Sequence, residues 1–216
     1  MLLGFMLLYV FLIGAHKSVL FGSVIIITFY FVSSKHLIVM ISLGVLALFS
    51  IAHLSYMLTD SNFISSLIAR RVFFLPALLD VYYFDFFKGN HLYWSGGVLS
   101  SIFEYPYQLA PQYLIGSEYF DRPEMSANNG IISDGYANLG WLGVILNLTT
   151  ISLIFSFLNS LRINSRFFGV FLLFFFSVLS SYLPTVLLTH GGLILLFLSQ
   201  FILKDTSDQT EALNYD

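Results

Sequence analysis

The stretch LIARRVFFLPALLDVYYFDFF, residues 67–87, sets two adjacent arginines at the head of an apolar, aromatic run, and its reading decides the topology of the chain. Residues 72–87 are short for a membrane span of about 20 residues, and they include Pro76, Asp80 and Asp85. A carboxylate at mid-membrane costs roughly 2.5–3.5 kcal/mol on insertion scales. The aromatics Phe73, Phe74, Tyr82, Tyr83, Phe84 and Phe86 equally suit a helix lying at headgroup depth. Charge bias points the other way. With a seventh span here, Lys17, Arg70, Arg71, Arg162, Arg166 and Lys204 face the cytoplasm against Lys35, Lys88 and Arg122 outside; with six spans, Lys35, Arg162, Arg166 and Lys204 face it and the other five lie outside. The positive-inside rule favours the first count. The residues alone leave both readings open, and both put the loop 88–135 outside.

Working outward, 57% of the 216 residues are hydrophobic, 10% are charged, and mean hydropathy is +0.84, the profile of an integral membrane protein. Apolar blocks at 1–15, 18–34, 37–58, 137–160, 167–184 and 186–203 are long enough for helices and lack the short alternating pattern of a barrel. The expected fold is all-α: a polytopic helical bundle of six spans, seven if 69–87 crosses, with a large external loop containing an interfacial helix. Its parts are a three-span bundle at 1–58, a loop region at 59–135, a second three-span bundle at 136–203 and a polar tail at 204–216, expected to be cytoplasmic and disordered. The opening MLLGFMLLYVFLIG lacks a basic n-region and reads as a first span.

Residues 59–134 hold eight of the twelve acidic residues and four of the five prolines, too mixed a composition for a mere connector, so function is expected there. A net charge of −3 argues against a nucleic-acid partner, and the absence of cysteine excludes disulfides and thiolate chemistry. Phosphate-loop, dinucleotide and zinc-protease patterns are absent, and no metal or cofactor is expected. The Asn147–Thr149 sequon lies inside an apolar block and carries no meaning as a glycosylation site.

Residues 115–143, IGSEYFDRPEMSANNGIISDGYANLGWLG, are the most distinctive run. ANNG and SDG read as turns, and GYANLGWLG as the start of a span with small residues that permit close helix contact. Together with Arg70, Arg71 and the helix VFFLPALLDVYYFDFF, this region resembles the membrane-embedded O-antigen and oligosaccharide repeat-unit polymerases, the Wzy family. That family is related in layout to the O-antigen ligases. The resemblance covers residues 60–145. It favours six spans, because the family's arginines face the periplasm. Members carry more spans than are counted here, so the chain resembles a short or C-terminal portion of such a polymerase.

The resemblance implies a multi-pass protein of the bacterial inner membrane that joins polyprenyl-pyrophosphate-linked oligosaccharides without a metal. A flippase and a chain-length regulator are the implied partners, alongside membrane lipid. A sugar hydroxyl of one unit attacks the anomeric carbon of the growing glycan, and polyprenyl pyrophosphate leaves. Guanidinium pairs bidentately with phosphate oxygens and stays charged, which points to Arg70 and Arg71 as catalytic groups with Arg122 as a third contributor. The hydroxyl needs a base. Asp134 is the first candidate, between an Asn-Asn-Gly turn and a span, ahead of Glu118, Asp121, Glu124, Asp80 and Asp85. Substrate-binding residues are expected to be Arg122, Glu118, Asn128, Asn129, Tyr136, His190 and His53, the histidines because an ionisable group within a span is functional by default. His91, Tyr93 and Trp94 form an aromatic cluster suited either to sugar stacking or to the membrane boundary. Three rivals stand: an O-antigen ligase, a lipid-linked oligosaccharide flippase or transporter fragment, and a non-catalytic membrane subunit.

Overall fold

The computed structural model describes residues 17–31, 36–64, 66, 70, 74–97 and 99–203. The apolar block 1–15, Arg71 and the tail 204–216 lie outside the described residues. Among those described the chain is helical and forms no strand. Its helices are α1 (Lys17–Phe31), α2 (Leu37–Thr59), α3 (Leu75–Phe86), α4 (Pro111–Phe120), α5 (Ile131–Ser160), α6 (Phe168–Ser180) and α7 (Gly192–Phe201). A 3₁₀ turn, Ser165–Phe167, leads into α6, and a π turn, Thr185–Thr189, precedes α7.

Two of these helices, over Ile38–Thr59 and Ile131–Ser160, are long and apolar enough to cross a membrane. Of the described side chains of α2, Ala52 is buried, while Ile38, Met57 and Leu58 are 70–77% exposed. A helix apolar all round and left uncovered has no stable setting in water, and lipid contact suits it. Helix α1 packs along α6 through small residues: a Cβ on Gly169 would stand 2.9 Å from the Ile26 Cα.

The last two apolar blocks differ from full spans. Helix α6 has 13 residues and α7 has 10, about 20 and 15 Å at about 1.5 Å per residue. Between them Pro184 removes a backbone donor, the π turn intervenes, and Gly191 takes a left-handed φ of 79°. Helix α3 is also short, 12 residues or about 18 Å, with Pro76 in its first turn. It packs on α4 and α5, burying Leu79, Tyr83 and Phe87. Both of its carboxylates turn to partners from the loop region: Asp85 accepts from the Tyr119 hydroxyl at 2.7 Å, and Asp80 from the Asn129 amide at 2.9 Å.

Two apolar cores result. One gathers Leu79, Tyr83, Phe87, Leu92, Ile115 and Ala137 beneath the loop; the other gathers Ile131, Ile151, Phe174, Val178, Val186 and Leu195 between α5, α6 and α7. The first turns of α5 belong to both, and Asp134 sits between them.

Candidate functional site

Helix α5 is sharply bent. Leu139 (φ −140°, ψ 19°) and Gly140 (φ 61°, ψ −145°) leave helical geometry, the latter in a region open almost only to glycine. A two-turn segment, residues 131–138, therefore folds back on the straight part, residues 141–160. In an unbroken helix Ile131 and Asn147 would stand about 24 Å apart. Instead the Asn147 amide donates to the Ile131 carbonyl at 2.9 Å. Gly135 and Gly143 make the crossing, since a Cβ on Gly135 would come within 2.6 Å of the Gly143 carbonyl. The expected SDG turn is thus helix, and its glycine serves close approach instead of a reversal. The straight part, about 30 Å long, is the length a bilayer core requires.

The bend deprives the carbonyls of Ala137 and Asn138 of helical partners. The loop after α3 supplies them: Leu92 N–H donates to Ala137 at 2.9 Å and Tyr93 N–H to Asn138 at 3.1 Å, while Trp94 N–H donates to the Asn138 side-chain oxygen at 2.7 Å. This fixes the Asn138 amide with its NH₂ toward Asp134, 2.9 Å from Oδ1. Oδ2 of Asp134 accepts from the Asn147 amide at 3.1 Å and from Leu183 N–H at 3.2 Å. A carboxylate has about four lone-pair sites, so three donors leave one on Oδ1 for a fourth partner.

Asp134 is 4% exposed, and it lines a cavity of about 160 Å³. The other walls are Tyr83, Trp94, Tyr105, Asn138 and Tyr182, and the rim reaches the surface at the exposed Gly96 and Gly97. The hydroxyls of Tyr83 and Tyr182 stand 2.7 Å apart, and Tyr83 also donates to the Ala127 carbonyl at 3.2 Å. Burial raises the Tyr83 hydroxyl well above the ordinary phenol range, and burial with neighbouring Tyr107 pushes Tyr105 up to about 12. Both stay protonated donors near neutral pH.

A second polar knot lies beside the first. The Asn129 amide donates to Asp80, to the Ser133 hydroxyl at 2.8 Å and to the Pro76 carbonyl at 3.1 Å, and Ser133 closes a very short bond to Asp80. Partial burial raises the Asp80 carboxyl above its usual range, and the Ser133 and Asn129 bonds counter only part of this.

Of the sequence-predicted residues, Asp134 faces the cavity and Asn129 holds the adjoining knot. The others stand elsewhere. Arg70 is exposed ahead of α3, Arg122 and Glu118 are exposed at and after the end of α4, and Asn128 is exposed beside Asn129. The structure thus brings neither Arg70 nor Arg122 into the cavity wall. Tyr136 packs against Phe84 at 4.3 Å and against Trp141 and His91, outside the cavity. His53 is exposed on α2, and His190 lies at a separate cavity with Phe174 and Ile194. Among the described residues no three His, Asp or Glu side chains converge as a metal-ligand set.

Sequence reasoning passed over Asn138, Asn147, Tyr83 and Tyr182. Asn147 carried a usable signal: an amide among apolar residues must find a partner. No family model, curated protein or solved structure matches this chain.

Proposed function

We propose that this chain is a membrane-embedded glycosyltransferase of the repeat-unit polymerase type, with six spans, acting at the outer face of the bacterial inner membrane. In this reading Asp134 accepts the proton of a sugar hydroxyl as that oxygen attacks the anomeric carbon of a second, polyprenyl-pyrophosphate-linked glycan. The bond from that carbon to the pyrophosphate oxygen breaks, and the leaving group departs with its electron pair. The observation that carries the reading is a buried carboxylate with one acceptor site unused, lining an aromatic cavity beyond the end of a straight span. Asn138, Asn147 and the Leu183 N–H fix its orientation, so it needs no rearrangement to receive a hydroxyl. Arg70, Arg71 and Arg122 serve the leaving pyrophosphate, whose phosphates the cavity of about 160 Å³ is too small to hold beside a sugar ring.

The test is the surface-glycan ladder of the source organism with this chain deleted. Re-expressed wild type is expected to restore long chains, and Arg70→Ala with Arg71→Ala to leave single repeats at matched membrane levels. Wild type that restores nothing sinks the polymerase reading. A glycan that is made at full length but stays unattached in the deletion strain assigns the chain to the ligase instead.

A further inference from the structure

Resting on that reading, we infer that the Asp134 cavity is a subsite for one neutral sugar ring, the acceptor end of the incoming unit, with Trp94 as the aromatic platform on which the ring packs. Size sets the first limit. Ligand sites span about 300–1,000 Å³, and a cavity of about 160 Å³ takes a single ring, with the rest of the oligosaccharide outside the rim. The walls set the second. A pyranose presents C–H groups on its faces and hydroxyls on its edge; Trp94 and Tyr182 offer aromatic surface, while Asp134 and Asn138 offer polar atoms.

Charge sets the third limit. Asp134 is the one Asp, Glu, Lys, Arg or His among the described residues lining the cavity. An anionic ring would shed water with no cation to meet it, whatever the protonation state of Asp134. The same deficit keeps pyrophosphate out, which leaves the cavity to the acceptor.

The backbone at Trp94 gives independent support. Tyr93 and Trp94 both hold left-handed φ values, 51° and 52°, a conformation bulky side chains rarely adopt. Asparagine or glycine would suit that backbone better, so the indole is what the position is for. The backbone N–H of Trp94 donates to the Asn138 side-chain oxygen, and the Asn138 amide in turn donates to Asp134, so the backbone that carries the indole is anchored to the group that orients the carboxylate. Trp94 also walls a neighbouring apolar cavity of about 390 Å³ with Leu99, Leu187 and Leu193.

The chain has two tryptophans, Trp94 and Trp141. Trp141 is 64% exposed and packs against Phe84 and Tyr136, away from the cavity. In detergent-solubilised Trp141→Phe protein, Trp94 emission alone reports ring entry. Titration with the methyl pyranosides of glucose, galactose, rhamnose and N-acetylglucosamine is expected to give a saturable change with at least one. Methyl glucuronide should bind at least ten-fold more weakly. In cells, Trp94→Asn should collapse the ladder to single repeats without lowering membrane level. The inference is overturned if none of the four moves Trp94 emission, or if the glucuronide matches them. A restored wild-type ladder with a silent Trp94 and a full-length Trp94→Asn ladder discards the subsite and keeps the polymerase. A saturable, neutral-selective Trp94 response with no ladder from wild type keeps the subsite and discards the polymerase.

Discussion

The pairing of Asp134 with Asn138 is open to a donor–acceptor swap. In Asp134→Asn the side-chain oxygen can keep Asn147 and Leu183 N–H, which both point at one atom. The new NH₂ then faces the Asn138 NH₂ at the 2.9 Å separation now occupied by a bond. Asn138 cannot rotate to help, because its oxygen already accepts from Trp94 N–H at 2.7 Å. One hydrogen bond to a charged group is lost, about 1.5–3 kcal/mol, and relief of the buried charge returns part of it, for a net cost of about 2 kcal/mol. For a chain of this length that lowers the apparent Tm by roughly 4–8 °C. Asn138→Asp sets two carboxylates against each other and should cost more. The double variant restores a donor facing an acceptor and keeps the Trp94 bond, although it forfeits the bond from Asn138 to the Asp134 carbonyl. It is therefore expected to melt above either single variant, measured by intrinsic fluorescence in detergent, and, on the proposed polymerase reading, still to make no polymer because the carboxylate has moved one helical turn. A double variant that melts below both singles would refute the hydrogen-bond assignment, and one that polymerises would remove Asp134 from the chemistry.

Other expectations follow from the same geometry. Gly143→Ala drives a Cβ into the Gly135 carbonyl and should abolish accumulation in the membrane, whereas Gly44→Ala, with open space around its Cβ, should leave levels unchanged; quantitative blotting of both decides. Tyr83→Phe removes the hydroxyl shared with Tyr182 and Ala127 and should lower stability by about 1–2 kcal/mol, read as the fall in apparent Tm. Because burial makes the folded-state Asp80 carboxyl titrate above the ordinary aspartate range, its contribution is fully present below that range and is lost as pH rises through the folded pKa. Asp80→Asn should accordingly flatten the stability change between pH 7 and pH 4 relative to wild type; equal pH slopes for the two proteins would contradict the assignment.

The helical class and the apolar character of α2 and α5 were legible because hydrophobic runs report burial or lipid directly. Residues 115–143 stood out through their density of glycine, asparagine and acid, and the structure buries Asn129, Ser133, Asp134 and Asn138 from that run. What misled was the use made of those glycines. SDG read as a turn because glycine tolerates positive φ, yet Gly135 is helical and its missing side chain matters only because Gly143, eight residues on, passes over it. The true reversal falls at Gly140, inside what reads as an uninterrupted start of a span. The arginines were conspicuous for their charge, whereas the groups that meet Asp134 are two amides and a backbone N–H, which no charge pattern announces. Asn147 reads as part of a sequon without meaning, although an amide among apolar residues is itself the signal of a buried partner.

A broken helix at the edge of a span exposes carbonyls that lipid cannot satisfy, and such backbone persists only where protein or a cavity meets it. Here Leu92, Tyr93 and Trp94 meet it, and the fit forces two aromatic residues into left-handed backbone, about 1–2 kcal/mol each. A straight α5 would have needed neither the bend nor the strained loop. It would also have carried Asp134 along the helix axis, away from Asn147 and Leu183. The bend brings a carboxylate, two amides and an indole together at the cost of continuous hydrogen bonding, and the segment after α6 is drawn into the same arrangement when Leu183 gives its N–H to Asp134 and not to a helical carbonyl. The irregular stretch around Pro184, the short α7 and the strained loop are therefore consequences of one requirement: that Asp134 be held, buried and oriented, at the mouth of a membrane-length helix.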